Sequence, residues 1–235
     1  MSAVATAAPR WTRRKDARPA ELLRAALDLF VERGYAGTRL EDVAARAGVS
    51  KGLLYLYFDS KEALFKAVVR ASIVVPLADA AAQAARYEGS AAELLRELVQ
   101  RWWREYGAAP AGGLSKLMLA ESGNFPEIAR FFLDEAIEPW YALLAQTLER
   151  GIARGEFRRI EAPLYARVLG APLVMLALWQ RSFGPCSRRP LDPDAYLAAA
   201  VDSALAALRR LPRTASLATK RTNGDVKRRR RAPRR

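Results

Sequence analysis

Histidine is absent from this sequence and cysteine occurs once, at Cys186. Without histidine most metal sites and every His-dependent general base drop out, and a lone cysteine rules out an intrachain disulfide. No glycine-rich phosphate loop, clustered metal ligands or activated cysteine can be recognised, so neither an enzyme nor a bound cofactor is expected. Runs of alternating β-branched residues are also missing, which argues against a sheet. The early cations Arg10, Arg13, Arg14 and Lys15 are not followed by a continuous apolar run, so no secretory signal is expected. The most apolar later stretch, Val168 to Trp179, reads as too short for a bilayer, and membrane insertion is not expected. These absences predict a cytoplasmic protein.

What is present is alanine and leucine at three- and four-residue spacings, with 51% apolar residues to build a core. The pattern predicts an all-α fold, with helices near 19–33, 40–47, 51–58, 61–87, 91–106, 114–122, 127–154, 162–181 and 194–210. Pro76, Pro139 and Pro172 fall inside three of these spans and are expected to kink or split them.

The net charge of +14 is uneven. Residues 1–20 and 212–235 carry 5 and 10 Lys+Arg against 1 and 1 Asp+Glu, whereas residues 71–211 carry 16 of each. A neutral body with basic ends suits a polyanion, nucleic acid before an anionic membrane. The chain divides into a basic arm (1–18), a helix-turn-helix region (19–70), a larger helical region (71–211) and a basic tail expected to be disordered (212–235).

The helix-turn-helix is read from caps and spacing. Leu23, Ala26, Leu27 and Phe30 share one face of the first helix, which ends at Gly34, a residue suited to a left-handed cap. Thr38 with Glu41 reads as a capping box opening a second helix that buries Leu40, Val43, Ala44 and Ala47. In the turn Gly48-Val49-Ser50, glycine takes the bend, valine plugs the interhelical angle and serine caps the third helix. Leu54 and Phe58 then face the core. Lys51, Leu53, Tyr55 and Tyr57 are left toward a DNA groove or its edges, and the glycine at 52 permits close backbone approach. Asp59 or Ser60 caps a fourth helix. Lys51 could instead be an ordinary solvated charge, and Tyr55 a helix-packing residue.

The run Gly34-Tyr35-Ala36-Gly37-Thr38, Asp42-Val43-Ala44, Ala47-Gly48-Val49-Ser50-Lys51-Gly52, Leu54-Tyr55, Phe58 and Ser60-Lys61-Glu62-Ala63-Leu64-Phe65 resembles the tetracycline-repressor (TetR) family signature. The resemblance implies a homodimer on double-stranded operator DNA. It also implies that Thr38, Ser50, Lys51, Gly52, Tyr55, Tyr57 and Lys61 meet phosphates or base edges. Arg39 joins them on charge and placement. Leu53 sits where base readout is expected but offers only apolar contact, as to a thymine methyl. Family members often carry histidine where this chain has Tyr57.

In the larger region, Leu119-Ala120-Glu121-Ser122-Gly123-Asn124-Phe125-Pro126-Glu127 resembles AefR-type regulatory domains of the same family, implying an effector-binding and dimerisation domain. Trp102, Trp103, Tyr106, Met118, Phe125, Trp140, Met175 and Trp179 are candidate linings of a pocket for an unknown, largely apolar small molecule, with plain core packing as the alternative for each. Stripes Ala166, Leu169, Leu173, Leu176 and Leu197, Val201, Leu205, Leu208 on the last two helices suit either a four-helix dimer bundle or the chain's own core. The main reading is therefore a DNA-binding transcription regulator, a repressor released by its effector. A nonspecific architectural DNA-binding protein using the basic ends is its rival.

Overall fold

The computed structural model describes residues 10–209, with side chains from Pro19 onward. The expectations for the side chains of Arg10, Arg13, Arg14, Lys15 and Arg18, and for the tail from residue 212, lie outside the described residues. Every regular element among the described residues is helical.

The chain order is α1 (Arg10–Gly37), α2 (Leu40–Arg46), α3 (Lys51–Tyr57), α4 (Lys61–Val69), α5 (Val75–Ala85), α6 (Ala91–Trp102), α7 (Gly113–Glu121), α8 (Pro126–Phe132), α9 (Glu138–Ala153), α10 (Ala162–Ser182) and α11 (Pro193–Leu208). Single π-helical turns at Arg70–Val74, Trp103–Gly107 and Leu133–Ile137 join or extend these helices. Two of them explain the prolines. Pro76 and Pro139 each follow a π turn by two residues, where the i→i−5 bond (Val75 N–H to Arg70 O, Glu138 N–H to Leu133 O) shifts the register. A wider turn accommodates the ring and its missing N–H without breaking the helix. The expected split is thus a register shift, and α10 runs unbroken through Pro172.

Two apolar cores form. One joins α1–α4 to α7 and α8 around Phe30, Phe65, Leu54, Leu114 and Ile128, all fully buried. Phe30, Tyr35 and Phe65 interlock there with ring centroids 5.2–5.8 Å apart. The other joins α5, α6 and α9–α11. The first four helices therefore share their core with α7 and α8 of the larger region.

Two expectations change and one open alternative is decided. The second helix begins at Leu40 with Arg39 as its N-cap and no side-chain cap, because the Thr38 hydroxyl turns back to donate to Leu29 O (3.1 Å) and Gly34 O (2.7 Å). The stripes Ala166–Leu176 and Leu197–Leu208 lie in the chain's own core, at most 7% exposed. The outward apolar line on α10 is instead Leu164, Val168, Met175 and Trp179. Finally, α10 has 21 residues with a mean hydropathy of 1.5 over its most apolar window, long and apolar enough to cross a bilayer. The helix is longer than the apolar stretch from Val168 to Trp179 because residues 162–167 and 180–182 extend it.

Candidate functional sites

The turn between α2 and α3 is built as its residues dictate. Gly48 has φ +66°, in the left-handed region, and Val49 packs half-buried into the first core. Ser50 caps α3, its Oγ accepting from Leu53 N (3.2 Å). Leu54 is fully buried and anchors α3. Lys51, Gly52, Tyr55 and Leu56 are left as the exposed face, with Tyr57 at its edge, 37% exposed, and Leu53 half-buried.

Lys51 is already engaged on this face. Its Nζ lies 2.5 Å from Glu41 Oε1 and 5.6 Å from the centre of the Tyr55 ring. The hydrogen bond with Lys51 lowers the Glu41 carboxyl below its ordinary range and raises the lysine above its own. Arg39 is exposed nearby at the start of α2.

Two candidates are placed otherwise. Thr38 is 1% exposed and its hydroxyl is committed to the two carbonyls named above, so its side chain belongs to the fold rather than to a surface. Lys61 donates to Tyr35 O (2.8 Å) and Ala36 O (3.2 Å), with its Nζ 4.6 Å from the centre of the Tyr35 ring. Burial lowers its pKa. It ties α4 to the end of α1. Leu56, at 76% exposed, is the most open large apolar residue on α3 and was not singled out in the sequence. Its signal was its position between two tyrosines in a seven-residue helix with a single buried anchor.

A second site lies in the larger region, a cavity of about 400 Å³ between α5–α10. Of the candidate lining residues, Trp102, Tyr106, Met118 and Trp140 border it. Trp103, Phe125, Met175 and Trp179 do not. Trp103 is buried in the second core. Phe125 packs edge-on against Tyr35 at 4.8 Å. Met175 and Trp179 lie on the exposed side of α10, 55% and 39% open.

The cavity wall is apolar and aromatic. Trp102 stacks on Trp140 (centroids 6.0 Å) and tilts against Tyr106 (5.4 Å), and Leu77, Leu98, Phe132, Ile137 and Tyr141 complete it. The charged lining residues Arg101 and Glu105 are paired with each other (3.0 Å), and Arg101 also with Asp79 (2.6 Å). The Tyr106 hydroxyl shares a 2.5 Å hydrogen bond with Ser115, and burial pushes its pKa up to about 12, so it stays protonated. Trp140 Nε1 is buried with no partner. Such a lining suits an apolar molecule with few polar groups. Among the described residues no group of three or more His, Cys, Asp and Glu is placed to hold a metal.

Residues 22–68 match the bacterial regulatory proteins of the tetR family, and residues 87–204 match the tetracyclin repressor-like C-terminal domain. The chain is 36% identical over 126 residues to the HTH-type transcriptional regulator RutR of Escherichia coli, a match covering 54% of this chain and about half of RutR (51%). It is 27% identical over 202 residues to the HTH-type transcriptional activator FasR of Mycolicibacterium smegmatis, covering 86% of this chain and 88% of FasR. The fold is similar to that of the transcriptional regulator FadR of Bacillus subtilis, solved in complex with stearoyl-CoA, with a TM-score of 0.68 at 17% identity over 81% of this chain and all of that one.

Proposed function

We propose, because the chain belongs to the tetR family of bacterial regulatory proteins, that it is a cytoplasmic homodimeric repressor released from an inverted-repeat operator by an apolar small molecule. The observation that carries this reading is the combination of an outward face on α3 with an apolar, aromatic-lined cavity in the following domain. Lys51, Gly52, Tyr55, Leu56 and Tyr57 approach the groove, and Ser50 serves by capping α3. Arg39 reaches phosphate from the start of α2. Leu56 and Leu53 offer only apolar contacts, so sequence choice rests on thymine methyls, half-site spacing and DNA shape.

The outward apolar line Leu164, Val168, Met175 and Trp179 on α10, beside the small residues Ala199 and Ser203 on α11, supports a twofold interface with a second copy. That partner would cover the helix whose composition resembles a membrane span. FadR was solved with stearoyl-CoA, which favours a ligand with an alkyl chain here. The stretch Leu119–Glu127 favours an AefR-type regulatory domain. Repression follows from a dimer occluding a promoter.

Selection of bound DNA from a random pool tests the reading. An inverted repeat with fixed spacing is expected, and recovery of sequences with no common motif would overturn it. Glu41 supplies a second check. Because its carboxylate holds Lys51 in the DNA-free protein, Glu41→Gln is expected to raise affinity severalfold at low salt. It should also steepen the slope of log K against log salt by up to about 0.9, the equivalent of one more phosphate contact. Unchanged affinity and slope by anisotropy titration would remove Lys51 from the interface.

A further inference from the structure

Gly34 leaves the helical path at φ 78° and ψ 172°. The N–H groups of Tyr35 and Ala36 beyond it therefore stand like those at a helix N-terminus, where amides look outside the helix for acceptors. Glu121, the last residue of α7, supplies the acceptors: its carboxylate takes Tyr35 N at 2.9 Å and Ala36 N at 3.0 Å. Lys61 takes the carbonyls of the same two residues. A two-residue segment just ahead of α2 is thus gripped on both sides, by a carboxylate from the regulatory domain and by an ammonium from α4.

Several features show the grip to be built in. A Cβ at position 34 would collide with Glu121 Oε1, so glycine is what admits the carboxylate. Phe125, one turn beyond Glu121, presses on the Tyr35 ring. On its other side α7 walls the cavity with Ser115, Met118 and Leu119.

Resting on the regulator reading above, we propose that Glu121 is a positioning residue for DNA binding: it fixes the helix-turn-helix on the regulatory body and so sets the separation of the two recognition helices in the dimer. Because the same helix borders the cavity, a ligand that displaces α7 acts on this contact directly.

The test uses the full-length protein, its Glu121→Ala and Glu121→Gln variants, and three DNAs: the selected inverted repeat, the same repeat with two base pairs inserted between the half-sites, and a single half-site. Wild type is expected to prefer the native spacing by about thirtyfold or more. Glu121→Ala should reduce that preference to about threefold, leave half-site affinity within about twofold, and speed hydrogen exchange at the Tyr35 and Ala36 amides at least tenfold, to order of magnitude. Glu121→Gln, isosteric and still able to accept one N–H, should fall between, and it carries the test if the alanine variant does not fold. A variant that keeps the full spacing preference overturns the proposal, as does one that loses half-site affinity in proportion. Absence of any spacing preference in wild type would instead overturn the dimeric operator reading, and this proposal with it.

Discussion

Gly34→Ala is expected to destabilise the protein by about 3 kcal/mol or more. The backbone at φ 78° and ψ 172° lies in a region essentially reserved for glycine, and placing another residue there costs about 1–3 kcal/mol. The new methyl also displaces the Glu121 carboxylate from Tyr35 N and Ala36 N, and hydrogen bonds to a charged group contribute about 1.5–3 kcal/mol each. In thermal unfolding at fixed protein concentration this corresponds to a fall in Tm of about 6–12 °C for a chain of this size. The Gly34→Ala/Glu121→Ala double variant separates the two causes. With the carboxylate gone its clash is gone, so the two losses should be clearly less than additive. A fall of under about 2 °C in the single variant would mean that the end of α1 is not held as described.

Filling the cavity should have the other large effect. Ala129 is half-buried on α8 and faces the cavity beside Phe132 and Met118, so the indole of Ala129→Trp has the cavity itself to occupy. Binding of the neutral fluorescent probe N-phenyl-1-naphthylamine is expected to weaken at least about tenfold, since the probe and the indole compete for one apolar space. Probe binding that survives the substitution would place the ligand site elsewhere.

The same residues show what the sequence could and could not disclose. Gly48 and Ser50 were legible because a left-handed bend and an N-cap each demand a small set of residue types at one position. Thr38 was not, because T-x-x-E has the same spelling whether the hydroxyl caps forward or turns back to Leu29 and Gly34. Trp102 and Trp103 are neighbours, yet one borders the cavity and the other fills the core. The π turn starting at Trp103 adds a residue and rotates everything after it, which a period of 3.6 cannot foresee. Apolar residues lie on two sides of α10, so periodicity alone could not say which side meets the chain's own core. Glu121 read as an ordinary carboxylate in a family motif. Its role depends on a glycine 87 positions earlier, a pairing that only the folded chain displays.

These features support one arrangement: a short recognition helix anchored by Leu54 and capped by Ser50, held through Gly34, Lys61 and Glu121 on a domain with an apolar interior. Its central claim is sequence-specific binding of operator DNA. The direct measurement is fluorescence anisotropy of wild-type protein against the selected inverted repeat and a scrambled duplex of equal length and composition, at about 0.15 M salt, where long-range attraction is screened. The inverted repeat is expected to bind about a thousandfold more tightly or better. Equal affinity for the two duplexes would contradict the account and favour an architectural protein that binds through its basic ends.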